Sequence, residues 1–254
     1  ITSNTNITSD AVDAYELADG ADLTLTAAQA DAVSITALGS TGATTVMDIE
    51  GELNADLSAV DTSLTIDLEA TGEVGSPIVL GSNAHIDVAE GETLTVTSDA
   101  GADHVLDATN ATFTFEDSNS DVSDDGTVEV ADETTLRLTA AQIDGKTING
   151  TGTDGNLIIA DLDAKTGADL SGVDSDLNVT AEINEDADIS SNDKITNAEI
   201  DTYEVADDKE LTLSAAQASE VNVTANWDNG TGTTRVVDLA SSPGADLGGI
   251  DTDL

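Results

Sequence analysis

Apolar and polar residues alternate along this chain with a period of two. LTLT (23–26), TIDL (65–68), LTVT (94–97), TFTF (112–115), VEV (128–130) and LNVT (177–180) each send every second side chain to one face. They also favour β-branched residues, and the pattern predicts half-buried strands. Turn signals (DG, GST, GSN, DDG, DNG) separate the strands about every 8–12 residues, the spacing of an all-β chain. Two kinds of segment interrupt the alternation, TAAQAD (26–31) and ADLSAVD (55–61). Each holds about one turn of Ala-rich or capped helical spacing between strands, so both read as short helical corners. Strand, corner, strand is the path of a chain rounding a coil.

The pattern is repeated. LTLTAAQADAVSIT (23–36) returns as LRLTAAQIDGKTIN (136–149) and as LTLSAAQASEVNVT (211–224). The AAQ triplets start at Ala27, Ala140 and Ala215, so the first interval is the longer one. A relative lacking AAQ, HIDVAEGETLTVT (85–97), lies within that interval and accounts for its length. In the alignment that superposes Ala27 on Ala215, ITSNTNIT (1–8) matches ISSNDKIT (189–196) and Tyr15 matches Tyr203. The outer copies thus belong to a longer super-repeat. With Ile1 first and neither a start Met nor a signal peptide, the expectation is an excerpt from a longer array. Residues 1–83 read as a first repeat unit with a preceding linker strand, 84–126 as a degenerate repeat, and 127–188 as a second unit. Residues 189–254 read as a third unit that begins the next super-repeat. The expected fold is all-β, a repeat-built β-solenoid with short helical corners, stacked through Leu23/Leu25, Leu136/Leu138 and Leu211/Leu213. The alternative is a tandem series of small β-sandwich domains, since about 75 residues is near the lower end of domain sizes.

Composition favours the solenoid. Hydrophobic residues are 39% of the chain but aromatics only 2%, so the core must be aliphatic. Sandwiches commonly use a buried Trp or Tyr. Regular alternation and only two prolines argue against disorder. The 52 acidic against 6 basic residues give a net charge of −46, which repels a phosphate backbone and an anionic membrane. Nucleic acid is excluded as a partner, and no apolar run is long enough to insert in a bilayer. Self-repulsion at this density opposes compaction, so the fold is expected to need screening salt or bound cations, Ca²⁺ above all. With no cysteine, disulfides and thiolate metal sites are excluded.

Carboxylates recur in register: Asp19, Asp132 and Asp207; Asp48, Asp161 and Asp238; Asp56, Asp169 and Asp246; Asp61, Asp174 and Asp251. Turn formation and N-capping account for such Asp columns. Two stretches have oxygen ligands at cation-loop spacing. DVSDDGTVEVAD (121–132) offers Asp121, Ser123, Asp125 and Asp132, with Gly126 at the bend. DISSNDKITNAE (188–199) offers Asp188, Ser190, Asn192 and Glu199, with Asp193 where Gly is preferred. Both resemble EF-hand-type loops, which implies Ca²⁺ at these residues; the competing reading is an acidic turn. Neither loop has helical flanks, and Ala11 stands where the N-terminal copy would need the counterpart of Glu199. His85 and His104 lack a partnering motif, and the aspartates are too evenly dispersed to single out an acid–base pair. A non-enzymatic protein is expected. Gln29, Gln142 and Gln217 read as side chains closing hydrogen bonds at equivalent corners. N-x-S/T sequons stand at Asn6, Asn110, Asn149, Asn178, Asn222 and Asn229.

The repeat style of LADG (17–20), LTLTAAQ (23–29) and ADLSGVD (168–174), sustained over essentially the whole chain, resembles the repetitive acidic segments of giant prokaryotic cell-surface proteins. These are adhesins, S-layer components and extracellular filament subunits. The resemblance implies a secreted, cell-surface scaffold, often Ca²⁺-dependent, whose partners are neighbouring repeats or further copies of itself. A stalk, filament or S-layer-like coat is the leading expectation. The alternative is an adhesin module binding a glycan, another surface protein or a cell surface, with NWDNGTGT around Trp227 as its candidate contact. A polysaccharide-cleaving β-helix enzyme would need basic residues for acidic sugars, and six Lys and Arg argue against it.

Overall fold

The computed structural model describes residues 12–39, 41–68, 77–88, 92–98, 104–115, 127–225 and 232–250. In chain order the first strands are β1 (Ala14–Leu17), β2 (Asp22–Thr26), β3 (Ser34–Ala37), β4 (Ala43–Met47), β5 (Val60–Asp61), β6 (Ser63–Leu68) and β7 (Ile78–Val79). Next come β8 (His85–Val88), β9 (Thr93–Ser98), β10 (His104–Asp107), β11 (Thr112–Phe115), β12 (Thr127–Val130), β13 (Thr134–Thr139) and β14 (Thr147–Gly150). The last are β15 (Asn156–Ala160), β16 (Asn178–Ile183), β17 (Ala187–Asp188), β18 (Thr202–Val205), β19 (Glu210–Ser214), β20 (Asn222–Ala225) and β21 (Thr233–Val237). Helix is confined to α1 (Ala27–Ala30), α2 (Ala140–Ile143) and the 3-10 turns Ile49–Gly51 and Leu162–Lys165 among the described residues. The described residues wind as a parallel β-solenoid of about eight turns. Sandwiches are built from antiparallel sheets, so the tandem-sandwich alternative falls.

Two compact units are present, Ile1–Leu136 with Thr147–Gly155, and Arg137–Lys146 with Asn156–Leu254. In the first, a six-stranded parallel sheet runs β14-β12-β9-β6-β4-β2, beside the sheets β1-β3-β5 and β8-β11. In the second, β15, β16, β18 and β20 pair in succession and β17-β19-β21 form another sheet. Pairing register measures the coil. Asp22 pairs with Ala43 and Ala43 with Ser63, so these coils are of roughly 20 residues, the short end of solenoid repeats. Leu64 pairs with Leu94 and Leu94 with Val128, which makes the next two coils distinctly longer. In the second unit Asn156 pairs with Asn178, Thr180 with Thr202 and Thr202 with Asn222, a return to the short coil. Each sequence interval between AAQ triplets therefore contains several coils.

Alternation explains why these segments pair. In the six-stranded sheet Leu25, Val46, Ile66, Val96 and Val130 stand side by side on successive strands. All five have 0% exposure. Val46, Ile66, Val96 and Val130 each lie between paired strands of the coils on either side, which suits thin Val/Ile/Leu layers and needs no large aromatic. The expected leucines follow suit: Leu25, Leu136, Leu138, Leu211 and Leu213 are fully buried, and Leu23 is half-buried. Within this core Thr44 is buried, and it shares a 2.8 Å hydroxyl bond with Thr62. In the second unit Ile159, Ala181, Tyr203 and Val223 form the matching row. Among the described residues Tyr203 is the largest fully buried side chain, and its hydroxyl has no hydrogen-bond partner.

Candidate functional site

The carboxylate-bearing corners are where chemistry concentrates. The repeated phrase is strand, corner, strand: β2–α1–β3, β13–α2–β14, and β19, a turn over 215–220, then β20. Its Ser/Thr-x-x-Gln core is a capping box, in which each end bonds the other's backbone. The Thr26 amide donates to Gln29 Oε1 at 3.1 Å, the Thr139 amide to Gln142 Oε1 at 2.7 Å, and the Ser214 amide to Gln217 Oε1 at 2.9 Å. Gln217 Nε2 also donates to the carbonyls of Ile189, Asn192 and Ile195, each at 2.9 Å. The glutamines thus close the corners, as expected. The capping-box spacing was the sequence signal that would have specified how.

Left-handed backbone marks the same frame. Among the described residues φ is positive at Gly20, Glu133 and Asp208, at Ala32, Gly145 and Glu220, and at Asp48, Asp161 and Asp238. These are three register positions, each occupied in all three copies. L-residues resist this conformation by about 1–2 kcal/mol, so its recurrence shows that the bends of the coil demand it. Beside the first position the Asp19 and Asp132 carboxylates accept from Thr41 Oγ1 at 2.7 Å and from the Asp154 amide at 3.0 Å. A Cβ on Gly39 or Gly152 would lie 2.4 or 2.1 Å from those carboxylates, hence glycine there.

The AAQ corner is locked to the ADL corner of the next coil. Asp31 Oδ1 accepts from the Asp56 amide at 2.9 Å, Asp144 Oδ1 from the Asp169 amide at 2.8 Å, and Ser219 Oγ from the Asp246 amide at 3.1 Å. In return the amides of Ala32, Gly145 and Glu220 donate to the carbonyls of Asp56, Asp169 and Asp246 at 2.8, 2.8 and 2.9 Å. Asp56 and Asp169 then close local turns, each accepting from the hydroxyl two residues on, Ser58 or Ser171, at 2.6 Å. Those serine hydrogen bonds hold both carboxyls below the usual range, and His85 and Lys194 add attraction to Asp56 and Asp169 respectively.

The second proposed cation loop lies in this frame. Asp188 ends β17, and its Oδ1 accepts from the Ser190 hydroxyl at 2.6 Å and the Ser190 amide at 3.1 Å, which lowers its pKa. Asn192 donates from Nδ2 to the carbonyls of Thr166 and Ala168, and its Oδ1 accepts from the Lys194 amide. Glu199 Oε2 accepts from the Thr196 amide at 2.8 Å and hydroxyl at 2.5 Å, the glutamate half of a capping box, while Thr196 Oγ1 accepts from the Ala198 amide at 3.1 Å. One oxygen each of Asp188, Asn192 and Glu199 thus accepts within its own turn, and the Asn192 amide nitrogen reaches the preceding coil. Of the first loop, Asp121, Ser123 and Asp125 lie outside the described residues, as do Asn6, Asn229 and Trp227; Asp132 sits in the turn described above. No group of three or more Asp, Glu or His side chains arranged to hold a metal ion occurs among the described residues.

His85 is half-buried on β8, with Nε2 2.9 Å from Asp87 Oδ1 and Nδ1 3.9 Å from Asp56 Oδ1. His104 is on β10. The two strands belong to different sheets, β8 with β11 and β10 with β7. Sequons at Asn110, Asn178 and Asn222 are exposed, and Asn149 is half-buried. A depression of about 310 Å³ is lined by Ser190, Asn192, Ile195, Thr196, Asn197 and Gln217 among others. The amides and hydroxyls named there already bond the frame: Asn197 Nδ2, for example, donates to the Ser219 carbonyl at 3.0 Å.

All six Lys and Arg residues lie from Arg137 to Arg235. Four of them tie one coil to another: Arg137 to Glu182, Lys165 to Asp144 at 2.8 Å, Lys194 to Asp169 at 3.7 Å, and Lys209 to Glu185. Glu182 also faces Glu204 on the neighbouring strand; burial, then this like charge, pushes the Glu204 carboxyl up. No helix among the described residues is long and apolar enough to cross a membrane. Comparison with protein-family models, with curated proteins and with solved structures finds no match.

Proposed function

We propose that the chain is a non-enzymatic extracellular structural segment, a run of coils in a surface stalk, filament or coat. The observation that carries this reading is the threefold corner frame. The Asp31 and Asp144 carboxylates and the Ser219 hydroxyl hold the corner to the next coil at equivalent positions in the three copies, and Gln29, Gln142 and Gln217 close each corner from within. Nearest-neighbour stacking of such coils gives a body whose length grows by adding repeats. The large negative charge is carried outside the cell, where salt screens it and Ca²⁺ strengthens the array. Neighbouring repeats, or further copies of the chain, are the partners.

Single-molecule stretching between the two ends tests this. The expected result is repeated, reversible extension in increments of one or a few coils, about 70 Å for each short coil at roughly 3.5 Å per residue. Chelation with EDTA should lower the force of each step. A chain that extends without resistance, together with saturable binding on a glycan array, would overturn the scaffold reading in favour of an adhesin module.

A further inference from the structure

We infer that the three AAQ–ADL corners form a graded set of salt-responsive joints: the first is loosened at low ionic strength, the second is tightened, and the third is indifferent. This inference stands independently of the scaffold reading. At the second corner, Lys165 reaches Asp144 at 2.8 Å, and Asp144 in turn accepts the Asp169 amide that begins the ADL turn. The lysine sits on the 3-10 turn Leu162–Lys165, which packs against α2. The first corner has the same parts in the same register. Asp31 takes the place of Asp144 and accepts the Asp56 amide at 2.9 Å, and the 3-10 turn Ile49–Gly51 packs against α1. Without a gap in the alignment from Asp48/Asp161 to Asp56/Asp169, the residue in the place of Lys165 is Glu52. At the third corner the corresponding residues are Ser219 and Ser242.

One architectural position therefore carries two negative charges, an ion pair, and two neutral hydroxyls in the three copies. The backbone bond each corner protects is the same: Ala32, Gly145 and Glu220 donate to the ADL carbonyl at 2.8, 2.8 and 2.9 Å. Both charged corners are partly exposed, so screening reaches them; the Debye length falls from about 30 Å at 0.01 M to about 10 Å at 0.1 M salt. Repulsion at the first corner is relieved as salt rises, and attraction at the second is weakened. Unit 1 contains no Lys or Arg to offset this, since the basic residues begin at Arg137. The consequence is a chain whose coils yield in different places as the surrounding salt changes.

Residue-resolved hydrogen exchange of the whole chain at about 0.01 M and above 0.1 M NaCl tests this, with the Glu220 amide as reference. Relative to it, protection at Ala32 should rise about two- to fivefold with salt and protection at Gly145 should fall by a similar factor, the size of exposed charge pairs. Glu52→Lys should abolish or reverse the rise at Ala32, and Lys165→Glu should create one at Gly145. Parallel changes at all three amides, or an unchanged Ala32 response in Glu52→Lys, would overturn the inference.

Discussion

The buried aliphatic row makes a sharp prediction at Ile66. Its side chain stands between Val46 and Val96, paired on either side in the six-stranded sheet, with 0% exposure. Ile66→Ala removes three carbons, about 2.4 kcal/mol at roughly 0.8 kcal/mol per buried methylene. A residual cavity adds to this, and such truncations fall within about 2–5 kcal/mol. Because coils interact only with their neighbours, the loss should be felt first in β4 and β9. Thr65, one residue earlier, points to the opposite face, so Thr65→Ala should change stability by no more than about 0.5 kcal/mol. Urea unfolding of both variants, with hydrogen exchange at Val46 and Val96, measures the contrast. A one-residue slip of register would exchange the two faces. Equal costs for the two variants, or the larger cost at Thr65, would refute the register.

Three further predictions concern the frame and the core. Gly145 has φ +72° with nothing near its missing Cβ, so Gly145→Ala should cost about 1 kcal/mol through backbone strain alone, read in thermal or urea melts. Tyr203 buries a hydroxyl without a partner, so Tyr203→Phe should raise stability by about 1 kcal/mol; a loss would show that the hydroxyl is engaged. Asp169 titrates below its unfolded value, so its contribution is present at neutral pH and lost as pH falls through its folded pKa. Ser171→Ala removes the largest cause, and carboxyl NMR titration should show the Asp169 pKa moving up.

Much of this architecture was legible because its signals are periodic. The alternation in LTLT, TIDL and LTVT located β2, β6 and β9, and scarce aromatics pointed to thin stacked layers. The coil length was not legible. AAQ marks only one corner among several, while the coils between are rounded by differing turns, such as the 3-10 turn at Ile49–Gly51. Glu199 shows a second limit. Asp188, Ser190, Asn192 and Glu199 have the linear spacing of a cation loop, but Thr196-x-x-Glu199 also has the spacing of a capping box. Linear spacing does not say which way each oxygen turns; here Asp188 Oδ1 accepts from the Ser190 amide and Glu199 Oε2 from the Thr196 amide. The Asp columns read as turn residues, whereas the carboxylates that reach from coil to coil, Asp31 to the Asp56 amide and Asp144 to the Asp169 amide, belong to none of those columns and depend on a pairing the local sequence does not contain.

Scalar couplings across hydrogen bonds test the corner frame most directly, because they register individual N–H to C=O partners in solution. Couplings are predicted from the amides of Ala32, Gly145 and Glu220 to the carbonyls of Asp56, Asp169 and Asp246. Finding all three would establish that the repeated phrase locks one coil to the next. Absence of these couplings, with antiparallel strand contacts in their place, would contradict it.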